Sequence, residues 1–107
     1  MLALTVFNNE HYDIRLLDGT ELKLKRPTQA MIEYTMRIED MAKSEDKTQA
    51  INALANLFVR ILNRNTEGVT FNVKDVTEEY DFQTIGYVIQ DYFSYWNKEE
   101  AGKVFFQ

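Results

Sequence analysis

Residues 47–64, reading KTQAINALANLFVRILNR, form the apolar axis of the chain and set what it can fold into. At roughly 100° per residue, Ala50, Ile51, Leu54, Ala55, Leu57, Phe58, Ile61 and Leu62 fall within an arc of about 160°. A helix with so wide an apolar face must meet neighbours on more than one side. Leu54 and Phe58 lie near the centre of this arc and Trp96 near the centre of a later one, so all three are expected in the core.

Upstream of this axis the period changes from helical to two. Leu2, Leu4 and Val6 alternate with Ala3, Thr5 and Phe7, and after Asn8-Asn9-Glu10 the alternation resumes at Tyr12, Ile14 and Leu16. A two-residue Asp-Gly turn at Asp18-Gly19 would put the flanking apolar rows on opposite faces. A three-residue loop with Gly19 left-handed pairs Leu16 with Thr20, Ile14 with Leu22 and Tyr12 with Leu24, and keeps them on one face. The expectation is a three-stranded antiparallel meander over 1–26, lying against helices.

Pro27 ends the last strand, and Thr28 is placed to cap a helix running to about Lys43. Met31, Tyr34, Ile38, Met41 and Ala42 make its inner stripe. Ile32 and Met36 fall outside the stripe, either touching another part of the fold or facing a partner. The short Ser44-Glu45-Asp46 turn makes this helix and the axial one antiparallel neighbours. Val69, Phe71 and Val73 read as an edge strand or an extended link. Asp75 and Glu78 have capping-box spacing for a short helical turn at 75–79, and Asp81 starts a last helix over 82–97. There Phe82, Ile85, Val88, Ile89, Tyr92, Phe93 and Trp96 form the inner arc, bordered by Gly86, where a neighbouring helix could approach closely. The fold class is therefore α+β and mainly α, a meander packed on a bundle of three main helices (28–43, 47–64, 82–97).

One core is what 107 residues with 45% hydrophobic content support, so 1–107 reads as a single domain: 1–26, a helical part 27–97 and a flexible tail 98–107. A formal charge of -5 opposes nucleic-acid binding, and Lys23, Lys25 and Arg26 read as the solvated face of a strand. The absence of cysteine fits a reducing compartment. No run of 18 apolar residues suggests a membrane span.

Catalytic chemistry has no foothold in the pattern. His11 is the sole histidine, and neither Ser44 nor Ser94 has a histidine at a spacing that supports a nucleophile and base. Asp75, Glu78, Glu79 and Asp81 lack the glycine turn and ligand spacing of a calcium loop and are better used as helix caps. The expectation is a non-enzymatic binding module without cofactor or metal. Ile32, Met36, Tyr87 and Tyr95, which the inner stripes do not all accommodate, are its candidate partner-binding residues, with Phe105 and Phe106 in the tail. An apolar helix or weak self-association would cover them.

The passage YDIRLLDGTELKLKRPTQAMIEYTMRIEDMAKS, the helix AINALANLFVRILNRNTEG and the segment DVTEEYDFQTIGYVIQDYFSYW together resemble the tail assembly chaperones of long-tailed, siphovirus-type bacteriophages. The likeness covers nearly the whole chain. Its most telling parts are the DGTELKLKRPTQ hairpin-to-helix passage, the Asn-rich close of the middle helix and the QDYF segment. It implies a small protein of the host cytoplasm that binds and coats the phage tape measure protein during tail morphogenesis and is absent from the mature virion. It also implies a long form, made by a minus-one ribosomal slip near the end of the frame, that recruits tail tube protein. Gly102-Lys103, which the slippery heptamer G-GGA-AAA can encode, is the candidate slip site. No residue-level functional motif accompanies the likeness. The alternatives are a structural tail completion or head-tail connector protein and an antitoxin-like regulator.

Overall fold

The computed structural model describes residues 1–4, 9–43 and 47–99. Among them the order is β1 (Tyr12–Arg15), β2 (Glu21–Leu24), α1 (Gln29–Ala42), α2 (Lys47–Leu62), α3 (Val73–Glu79) and α4 (Phe82–Glu99). The hairpin has the register that its loop chemistry favours, with Tyr12 opposite Leu24 and Ile14 opposite Leu22. Gly19 adopts φ 93°, the left-handed conformation that a residue with no side chain enters at little cost, and the Leu16 N–H closes the loop on the Thr20 carbonyl at 2.8 Å.

Among the described residues the expected meander does not form, and the sheet has two strands. Leu2 and Leu4 are 73% and 69% exposed and outside any strand, while Thr5 to Asn8 lie outside the described residues. The physical reason is visible in the N-terminal alternation, which has apolar residues at both parities and so defines no inner face. What flanks β2 on its far side is the turn after α2. There the Lys25 N–H donates to the Arg64 carbonyl and the Thr66 N–H to the Lys23 carbonyl, both at 3.0 Å, around a bridge between Leu24 and Asn65.

Nor do the helices form a three-helix bundle. α1, α3 and α4 each pack on α2, and β2 does so too, which makes α2 an axis with neighbours around it. Its C-terminal half is buried over a wide arc, through Leu57, Phe58, Val59, Ile61 and Leu62, and leaves Asn56 and Arg60 to solvent. Toward its N-terminus the buried residues are Ala50, Ala53 and Ala55, with Leu54 only partly covered and Ile51 exposed. The face is thus rotated from the expected one. Phe58 and Trp96 are core residues as anticipated.

Helix ends follow local chemistry. The Thr28 hydroxyl accepts the Met31 N–H at 3.2 Å and caps α1, and the Asp81 carboxylate accepts the Thr84 N–H at 2.7 Å at the start of α4. α3 starts two residues before the expected 75, because Asn72 rather than Asp75 is its cap. Asn72 Oδ1 accepts the Asp75 N–H at 2.9 Å, while the Asp75 carboxylate accepts from Asn72 Nδ2 at 3.0 Å. α2 stops at Leu62 rather than 64 because the chain turns around Asn65. This buried side chain donates to the carbonyls of Leu62 (2.8 Å) and Val69 (2.7 Å) and accepts the N–H groups of Glu67 and Val69, both at 3.0 Å. Residues 69–71 are an extended link, held by Asn63 through both polar groups of Phe71.

Candidate partner-binding surface

Of the six partner-binding residues expected from the sequence, the four that are described do not form one exposed patch. Ile32 is 6% exposed and belongs to the core with Met31. Only residues 25–28 separate α1 from β2, so the first turn of α1 starts inside the junction between sheet and helices. Met36, one turn further on, is 47% exposed, and Tyr87 on α4 is 71% exposed. Tyr95 is half-buried, and Phe105 and Phe106 lie outside the described residues, as do Gly102 and Lys103.

Tyr95 is held in a seam between the hairpin and α4. Its hydroxyl lies 3.0 Å from the Glu10 carboxylate and 3.1 Å from the His11 carbonyl, both acceptors, and its ring stands edge-on to Tyr12 and Trp96 at 5.5 and 4.9 Å. The Tyr12 ring also meets Tyr92 at 5.5 Å, and its hydroxyl donates to the Asp91 carboxylate. Burial, reinforced by that carboxylate, pushes the Tyr12 phenol above its ordinary pKa. The Arg26 guanidinium lies 4.9 Å over the Trp96 ring and 3.4 Å from Glu10. These side chains bind one another and fasten the hairpin to α4.

Two further exposed apolar residues escaped the sequence reading. Ile51 and Phe82, both assigned to inner faces, are 47% and 51% exposed. Each lies near the start of its helix, and Phe82 is the first residue of α4. The signal was positional: a wheel gives direction around a helix and ignores whether the core extends to that end.

The solvent face of the hairpin is polar. Asp13, Arg15, Glu21, Lys23 and Glu67 surround a shallow cavity of about 440 Å³. Arg15 pairs with Glu21 at 2.7 Å and Lys23 with Asp13 at 3.6 Å, directly across the two strands. The Glu67 carboxylate accepts the Lys23 N–H at 3.1 Å, which holds its carboxyl below the ordinary range. Among the described residues no three His, Asp or Glu side chains gather to hold a metal, and no helix is long and apolar enough to cross a membrane. Comparison with family models, curated proteins and solved structures finds no match to this chain.

Proposed function

We propose that this chain is a tail assembly chaperone of a long-tailed bacteriophage, a non-catalytic module that coats the tape measure protein in the host cytoplasm and is left out of the virion. The observation that carries the reading is the set of apolar side chains left outside the core on three helices: Met36 on α1, Ile51 on α2, and Phe82 and Tyr87 on α4. Apolar groups of this size gain free energy by leaving water, and an amphipathic helix is the segment that covers a helical surface. The resemblance to tail assembly chaperones supplies the identity of that helix. Two of its telling segments also meet in space, since Tyr92 of QDYF donates to the Lys25 carbonyl of the hairpin-to-helix passage. A frameshifted long form, made at Gly102-Lys103, would bring tail tube protein to the same complex.

Co-expression with the phage's tape measure protein tests this. The expected result is a soluble complex captured through a tag on either partner, weakened by Met36→Asp, Ile51→Asp or Tyr87→Asp in chains whose thermal unfolding is unchanged. Capture that all three variants leave intact would displace the surface. Finding the chain in purified virions would favour the tail completion or connector role instead. The gene itself decides the slip site: codons for Ala101 to Lys103 that form no slippery heptamer, or a closed minus-one frame downstream, exclude it.

A further inference from the structure

β1 has a second edge, and its hydrogen-bonding groups can be assigned. The Lys23 N–H and carbonyl point away from β1, toward Glu67 and Thr66, so Asp13 and Lys23 form a pair without mutual hydrogen bonds. By alternation Tyr12 and Ile14 bond to β2, and Asp13 and Arg15 turn their main-chain groups outward. The positions on either side are occupied: the His11 carbonyl accepts from the Tyr95 hydroxyl at 3.1 Å, and the Leu17 N–H donates to the Tyr80 hydroxyl at 3.4 Å. Between them, the N–H and carbonyl groups of Asp13 and Arg15 have no partner among the described residues. An open strand edge is a template for another strand.

We propose that this edge is a dimer interface whose occupant is β1 of a second copy, antiparallel about a two-fold axis at Ile14. Such an interface is isologous, so each contact occurs twice. Asp13 faces Arg15 of the other copy and Arg15 faces its Asp13. Each of these pairs exchanges two main-chain hydrogen bonds, which uses every open group on the edge. Both side chains stand on the solvent face, where Arg15 already pairs with Glu21 and Asp13 with Lys23. Dimerisation extends these pairs into two four-residue rows of alternating sign: Glu21, Arg15, then Asp13 and Lys23 of the second copy, and the reverse.

The charges also choose the register. A slip by two residues in either direction sets Asp13 against Asp13 or Arg15 against Arg15, and like charges directly opposite are unfavourable. On the inner face Ile14 comes to lie beside its own symmetry mate. In the single chain Ile14 is only half-buried, whereas Leu22 across from it is 1% exposed, so the apolar row is sealed at β2 and left open at β1. This inference concerns the hairpin alone and stands apart from the chaperone reading.

Sedimentation equilibrium of the full chain, at neutral pH and low salt up to about 1 mM, tests it, since a dimer of millimolar Kd is then substantially populated. The wild type is expected to show reversible monomer–dimer exchange, with amide exchange at Asp13 and Arg15 slowing as concentration rises. R15E puts carboxylates at both edge positions and D13R puts guanidiniums at both, so each variant alone should dimerise about tenfold more weakly or worse. Mixing the two in equal amounts restores opposite charges at both contacts and should recover the dimer, an outcome that misfolding of either variant could not produce. Four results overturn the proposal: a wild type that stays monomeric, variants that dimerise as the wild type does, a mixture that gains nothing, or amides at Asp13 and Arg15 already protected in the dilute monomer.

Discussion

The phenol of Tyr92 donates to the main-chain carbonyl of Lys25 at 2.5 Å, across 67 positions of sequence. Tyr92 is fully buried where the hairpin meets α4, with the Tyr12, Phe93 and Trp96 rings around it. Tyr92→Phe keeps the ring and strands a carbonyl, and should lower stability by about 1–3 kcal/mol in urea unfolding. Burial raises the Tyr92 phenol above its ordinary value near 10, so folded chains hold this proton after unfolded chains have lost it. The stability linked to it is therefore complete below about pH 10 and falls as pH rises beyond, by up to about 1.4 kcal/mol per pH unit for one proton. Tyr92→Phe should flatten this alkaline slope, and an unchanged slope would assign it to other groups.

Leu57 is fully buried on α2, and Leu54 is only partly covered. Leu57→Ala should cost about 2–5 kcal/mol. Leu54→Ala should cost visibly less, and equal losses would return the helix face to the orientation its hydrophobic arc suggests.

Two glycines should respond with opposite sign. At Gly19, φ 93° strains any L residue although an added Cβ meets nothing within 4 Å, so Gly19→Ala should destabilise by about 1–2 kcal/mol. Gly86 lies within α4, and there too an added Cβ meets nothing within 4 Å. The close helix approach that its place on the wheel suggested is absent. Gly86→Ala should stabilise by about 0.5–1 kcal/mol, and a loss in thermal unfolding would reveal a contact at that position.

The Asn65 side chain satisfies two carbonyls and two N–H groups at once. Asn65→Asp removes both donors and faces a carboxylate with two carbonyl oxygens. The loss should be on the order of 3 kcal/mol at neutral pH and should shrink in mild acid, where the carboxyl regains a proton to donate. A neutral-pH loss below about 0.5 kcal/mol would show that the turn after α2 is held by its main chain alone.

The legible parts of this fold were those specified by adjacent residues. The Gly19 loop, the Thr28 and Asp81 caps and the antiparallel register all depend on groups within a few positions of one another. The meander and the bundle required knowing which surfaces meet across the chain. The sequence around Asn65 gives no periodic signal that it flanks β2, and nothing near Tyr12 or Tyr95 in sequence shows that their hydroxyls reach Asp91 and Glu10 with His11. Ile32 and Phe82 exchanged the roles expected of them because a helical wheel does not know where the core ends.

The bond from Tyr12 to Asp91 spans 79 positions, and that separation has a meaning in time as well as in space. Ribosomes add about 5–20 residues per second, so roughly 4–16 s pass between synthesis of the hairpin and synthesis of the helix that covers its tyrosine. Throughout that interval Tyr12 has no Asp91, Tyr92 or Tyr95 to lie against. The nascent strand thus carries an uncovered tyrosine until α4 is made, an interval in which its own helix competes for it with any neighbouring nascent chain.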